Sequence, residues 1–426
     1  MLKLLNNEKL IVGYDLGDDY SQISYCIADS DNVETLSMVA GEENYNIPTV
    51  LCKREGVNQW FYGREAIRYA EESGGILVRN LVSLALDGET VMIEGTEFDP
   101  VALLSLFLKR SLGLLSQVSS PDRIMALMIT GDGLDGSLLE VLYQAVDRMN
   151  LKTDKVFFQS HTESFYHYMI RQERSLWSQK VLLLEYQEAQ IRVLSMECNR
   201  HTSPVVVFIE EAEYPFVAYE PGGTQEKLPA ELMRMDRDLL DICGELCGGP
   251  IVSGVYLIGD RFSEEWMKES RKFLCKGRRV FQGSNLYSKG ACYSLLERLR
   301  PSEVGQDHVF LGREKLKANI GMKILRQGEE IYYALLDAGV NWFEAEHTFE
   351  FYLQEGNQVE FVITSLTGRN NKLAQIVLEE LTGELTRLRA HLYLQDESRL
   401  MVEIEDLGLG VFRRSTHHVW QEEITL

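Results

Sequence analysis

"IVGYDLGDDYSQISYCIADSDN", residues 11–32, decides how this chain is read. An apolar run ends at Asp15. A turn holds Gly17, Asp18 and Asp19, and an alternating run follows. That order predicts a β-hairpin. A hairpin tip can cradle phosphate when its backbone amides are accessible, and Gly17 suits that role. The carboxylates of Asp15, Asp18 and Asp19 argue the other way, because they repel a polyanion unless a cation offsets them. A plain turn and a residual metal–nucleotide site are both open readings of Asp15–Gly17.

Working outward, residues up to about 75 read as short strands, and then strand and helix alternate. "DPVALLSLFLKRSLGLLSQV" predicts a helix with Asp99 as N-cap and Pro100 at its first position. "RIMALMIT" and "KVFFQS" predict buried strands, and "GSLLEVLYQAVDRMNL" an amphipathic helix. The order then restarts. "KVLLLEYQEAQIRVLSMEC" is a second hairpin, followed by strands and helices to about residue 300. The chain therefore predicts two related α/β halves, each opening on a hairpin. Beyond Pro301 most segments alternate apolar and polar residues, as in a β-sandwich, with one helix expected over Ala374–Leu388.

The composition is ordinary for a globular chain. Sixty-five acidic residues against 43 basic give a net charge of −22, which disfavours nucleic acid and anionic membranes as partners. No apolar stretch reaches the ~20 residues a membrane span needs. The N-terminus lacks a signal-peptide pattern, so the expected location is cytoplasmic. Seven scattered cysteines fit reduced thiols. Cys243 and Cys247, one helical turn apart, read as core. His161, Glu163 and His167 share one helix turn and read as a solvated face. His417 and His418 adjoin Trp420 in a strand, where neighbours point to opposite faces.

The order of elements resembles the actin-like ATPase superfamily, and within it the seventy-kilodalton heat-shock chaperones, including a divergent bacterial chaperone-like group. "VGYDLGDDYSQISYCI" resembles their first phosphate hairpin and "VLLLEYQEAQIRVLSM" stands where the second belongs. "IPTVLCKREGVNQWFYGREA" resembles the segment after the first hairpin. "GVYLIGDRF" stands at the adenosine-binding turn, and "NLYSKGACYSL" at the helix after it. "RLMVEIEDLGLGVFRRSTHHVWQEEITL" resembles the end of a substrate-binding β-domain. The resemblance implies an α/β two-lobe actin-like ATPase fold followed by a C-terminal β-sandwich domain. Lobe I would span residues 1–180, lobe II with a reduced adenine-side subdomain 181–304, and the sandwich 305–426. It implies ATP or ADP with Mg²⁺ as cofactor. Asp15, Gly17, Asp18, Arg79, Glu185, Gly259 and Asp260 would be the binding positions, with Asp15 on the metal.

The departures from the family pattern are chemical. The second hairpin reads Glu185, Tyr186, Gln187, Glu188, Ala189 and Gln190, where the family has Asp, glycines and Thr. The adenosine turn reads Gly259, Asp260, Arg261 and Phe262 in place of paired glycines. Ser160 or His161 replaces a catalytic carboxylate, and Arg79 the catalytic lysine. These changes remove the small residues that let amides approach phosphate, and they favour no nucleotide at all. Three functions fit: a chaperone-like binding or scaffold protein with a degenerate site that takes a protein or extended peptide; an active ATP-dependent chaperone; or an actin-like filament former. The first fits the substitutions best.

Overall fold

Strand β1 (Leu10–Leu16) is almost wholly buried, as its unbroken apolar run requires of a central strand covered on both faces. The computed structural model describes residues 8–39, 41–187, 189–217, 228–259, 261–366, 371–381 and 385–426. Two compact units emerge. One holds the described residues up to Cys198 together with Ile209–Asp307; the other holds Asn199–Phe208 with His308–Leu426.

In the larger unit, β1 forms a hairpin with β2 (Tyr20–Ile27), and β2 also pairs β3 (Glu34–Thr35) and β4 (Ile47–Pro48). A small sheet of β5 (Leu51–Lys53), β6 (Trp60–Tyr62) and β7 (Ile76–Val78) carries helix α1 (Gly63–Ser73). Helix α2 (Leu81–Asp87), the hairpin β8 (Val91–Ile93) and β9 (Thr96–Phe98), and helix α3 (Pro100–Leu112) follow. Asp99 caps α3 by accepting from the Val101 amide at 2.9 Å, as expected. Strand β10 (Ile124–Gly131), helix α4 (Gly136–Met149), strand β11 (Val156–Ser160) and helix α5 (His161–Ile170) complete the first half.

The second half opens with the hairpin β12 (Lys180–Tyr186) and β13 (Gln190–Asn199). It continues through β14 (Val205–Pro215), α6 (Leu228–Leu246), β15 (Val252–Ile258), α7 (Glu269–Leu274), β16 (Arg279–Gly283) and α8 (Leu286–Leu299). The first sheet runs β11-β10-β1-β2-β3 and the second β16-β15-β12-β13-β14. In both, the first strand is antiparallel to its hairpin partner and parallel to the strand on its other side. The two halves thus share strand order and direction. The penultimate residue of each first strand is an acid, Asp15 in β1 and Glu185 in β12.

Helices α5 and α8 meet backbone to backbone. A Cβ on Gly290 would lie 1.9 Å from the Ser164 carbonyl oxygen, and one on Gly13 of β1 would lie 2.2 Å from that of Ser288. No helix among the described residues is long and apolar enough to cross a membrane.

After α9 (Glu303–Asp307), β17 (His308–Phe310) pairs in parallel with the opening of β14. The smaller unit then builds two antiparallel four-stranded sheets. One runs β19-β18-β21-β22: β18 (Ala318–Arg326), β19 (Glu329–Leu336), β21 (Gln358–Ser365) and β22 (Asn371–Val377). The other runs β20-β23-β24-β25: β20 (Glu346–Leu353), β23 (Thr386–Leu394), β24 (Arg399–Gly408) and β25 (Val419–Thr425). One core of alternate residues from both sheets, among them Phe361, Leu388 and Val402, is buried between them. The helix expected over Ala374–Leu388 is not formed. Its described residues give strand β22, paired from Gln358↔Val377 to Thr364↔Asn371, and the start of β23. His417 and His418 precede β25 rather than lying within it.

Candidate functional site

The carboxyl ends of β1, β10, β11 and β12 converge, the position at which open α/β sheets usually offer a ligand crevice. His161, first residue of α5, is positioned by the Ser160 N-cap, whose hydroxyl accepts from the Glu163 amide at 3.3 Å. Its Nε2 lies 2.8 Å from Asp15 Oδ1. The imidazole stacks on the Tyr287 ring of α8, centroids 3.9 Å apart and planes within 2°. The Tyr287 hydroxyl donates to Glu185 Oε2 at 3.3 Å. Arg192 of β13, directly opposite Glu185 in register, reaches Glu185 at 3.6 Å and Asp132 at 2.8 Å, and pairs Glu211 through Nε. One continuous polar clasp therefore joins the ends of both sheets.

The clasp is acidic: Asp15, Asp132, Glu185 and Glu211 face one guanidinium and one imidazole. Burial pushes the Glu185 carboxyl up, with His161 and Arg192 opposing. Burial pulls His161 down, but Asp15, with Glu185 and Asp132 behind it, outweighs that and the net direction is up. A raised histidine contributes fully below its ordinary value of about 6.5, and the contribution is lost as pH rises through the raised value. We therefore expect unfolding free energy of the larger unit to fall on going from about pH 6 to pH 9. His161→Gln should remove that slope in urea titrations; an unchanged slope would assign it elsewhere.

The other expected positions fall outside this cluster. At Gly17 a Cβ would lie 2.9 Å from the Tyr20 carbonyl oxygen, so the turn itself requires glycine. Asp18 points to the N-terminus of α2. It accepts from the Val82 amide at 2.8 Å, from the Ser83 amide at 3.2 Å and from the Ser83 hydroxyl. In this structure the carboxylate serves as a helix cap. Asp18→Ala should cost about 1 kcal/mol in thermal or urea unfolding. Arg79 is exposed between β7 and α2, and it makes no contact with the clasp among the described residues. Gly259, at φ +108°, ends β15 3.7 Å (from its Cβ position) from the Tyr186 carbonyl. Asp260 and Glu188 lie outside the described residues. The solvated face expected of His161, Glu163 and His167 is also corrected: His161 and Glu163 are buried, because α5 packs against α8.

Arg192, Asp132 and Tyr287 were not singled out from the sequence. Arg192 carried one signal, a guanidinium inside the alternating apolar run "QIRVL".

Residues 315–426 match a domain of unknown function (DUF8552). A search of curated proteins finds no match to the chain. Residues 32–313 match the family described as family of unknown function (DUF5716) C-terminal, a span that includes His161, Glu185, Arg192 and Tyr287 but not Asp15. The match covers more than half of the chain, and the protein belongs to the DUF5716 family.

Proposed function

We propose that this is a chaperone-like binding or scaffold protein on an actin-like two-lobe body, whose nucleotide cleft is filled by its own side chains. The observation that carries the reading is the Asp15–His161–Tyr287–Glu185–Arg192 clasp. The duplicated strand order supports the actin-like body. The residues present do not fit a magnesium nucleotide. Asp15, the expected metal ligand, is bonded through Oδ1 to His161, and Glu185 Oε2 accepts from Tyr287 with Arg192 3.6 Å away, so a cation would have to compete with these partners. Four carboxylates around that space also oppose a polyphosphate.

The sandwich carries the binding. Strand β22 ends its sheet without proline or glycine, and exposes Leu373 (61%) and Val377 (46%). Such an edge accepts an added strand from a protein or extended peptide. The test is titration with ATP, with and without Mg²⁺, beside a phosphate-release assay. We expect no turnover. Turnover abolished by Asp15→Ala would overturn the reading and make the chain an active ATPase.

A further inference from the structure

Two polar side chains face each other in the interior where the smaller unit's sandwich begins. Lys315 and Asn341 form an isolated antiparallel bridge. The bonds around it run from the Trp342 amide to the Glu314 carbonyl and from the Leu316 amide to the Val340 carbonyl, each 2.8 Å. Lys315 and Asn341 are therefore the pair in that ladder that exchanges no backbone bond. In such a pair the Cα atoms lie about 4.5 Å apart and the side chains leave the same face side by side. Both are buried: Lys315 is 5% exposed and Asn341 0%. A lysine is almost never this deeply buried.

A carboxylate completes the set. Asn341 opens the single 3₁₀ turn Trp342–Glu344. The Glu344 amide donates to the Asn341 carbonyl at 2.9 Å, and Asn341 Nδ2 donates to Glu344 Oε2 at 3.3 Å. Asn341 Oδ1 is buried and accepts no hydrogen bond among the described residues. The amide is thus held through its nitrogen, and its carbonyl carbon sits beside the strand that carries the lysine. An amine, an amide and a carboxylate fixed together are the two reactants and the proton carrier of an amide exchange.

We propose that Lys315 and Asn341 join in an intramolecular isopeptide bond, with Glu344 as the proton carrier. Starting from the neutral amine, Lys315 Nζ attacks Asn341 Cγ. The Nζ–Cγ bond forms and the Cγ–Nδ2 bond breaks. One Nζ proton passes through Glu344 to Nδ2, which leaves as ammonia, and the carboxylate ends as it began. The exchange consumes no oxidant and no second substrate. Two groups held opposite each other react at a high effective concentration, which stands in for a separate catalyst. The product exchanges a buried lysine head group for a neutral secondary amide, so no charge is held in that interior. It also links positions 26 apart in the sequence and restricts the unfolded chain. The proposal concerns the smaller unit alone and is independent of the reading of the cleft.

The test is intact-mass spectrometry of the purified full chain, followed by tandem mass spectrometry of a protease digest. We expect a mass one ammonia below that of the sequence, and a branched peptide joining Lys315 to Asn341. Lys315→Met and Glu344→Gln should each show the full mass of their own sequence and two separate linear peptides. Glu344→Gln keeps the size of the side chain, so loss of the link with an unchanged circular dichroism spectrum separates proton transfer from folding. Three results would overturn the proposal. The first is the full sequence mass in the native chain. The second is a missing ammonia without a branched peptide, the mark of ring closure by the Trp342 amide on Asn341. The third is a link that survives in Glu344→Gln, which would remove Glu344 from the step.

Discussion

Gly290→Ala is expected to destabilise the larger unit by about 3 kcal/mol or more, at or beyond the upper end for overpacking. The added Cβ would meet the Ser164 carbonyl oxygen at 1.9 Å and its carbon at 2.6 Å. These are backbone atoms of α5, so no side-chain rotation relieves the clash, and α8 must move away. On its other side α8 already abuts Gly13, whose Cβ position is 2.2 Å from the Ser288 oxygen and 2.4 Å from the Cys292 nitrogen. A displaced α8 carries Tyr287 with it and opens the stack on His161. Urea unfolding measures the effect. A loss below about 0.5 kcal/mol, the range of a neutral surface change, would mean that the helices do not meet as described.

Arg192→Ala should cost about 1.5–3 kcal/mol, the range for hydrogen bonds to charged groups, because its partners Asp132, Glu185 and Glu211 all keep part of their surface in water. Arg192 is only 5% exposed and, among the described residues, is the one guanidinium between Asp132, Glu185 and Glu211. Its removal leaves Glu185, the least exposed of the three carboxylates, without its guanidinium. Adding Glu185→Gln to Arg192→Ala should recover part of the loss, because one uncompensated charge goes. Chemical denaturation of both variants checks this. A cost below about 1 kcal/mol for Arg192→Ala, typical of exposed pairs, would show that the clasp holds nothing together.

The strands of the larger unit were legible because buried parallel strands leave unbroken apolar runs, as in "LIVGYDL" and "KVLLLEY". The cap of α3 was legible because Asp99 and Pro100 act within one turn. Strand β22 was not. "KLAQIVLEEL" has the residue types and spacing of a helix, yet in the sheet Ala374, Ile376 and Leu378 face inward at period two. Pairing with β21 overrides the local preference. In the site, Asp15 and Glu185 could be found because each ends the first strand of a repeat. His161 was found only as a replacement for an expected carboxylate. Its stacking on Tyr287, 126 positions further along the chain, depends on how α5 crosses α8, which no local pattern encodes. The capping role of Asp18 was hidden for the same reason, since its partners Val82 and Ser83 lie more than 60 residues away.

We propose that side chains occupy the space a nucleotide would need between β1 and β12. A crystal structure of the full chain grown with excess ATP and Mg²⁺ tests it most directly. The account predicts His161 still bonded to Asp15 and stacked on Tyr287, Arg192 still joining Glu185 to Asp132, and no phosphate between the two hairpins. A magnesium-bound triphosphate at the hairpins, with His161 displaced from Asp15, would contradict it.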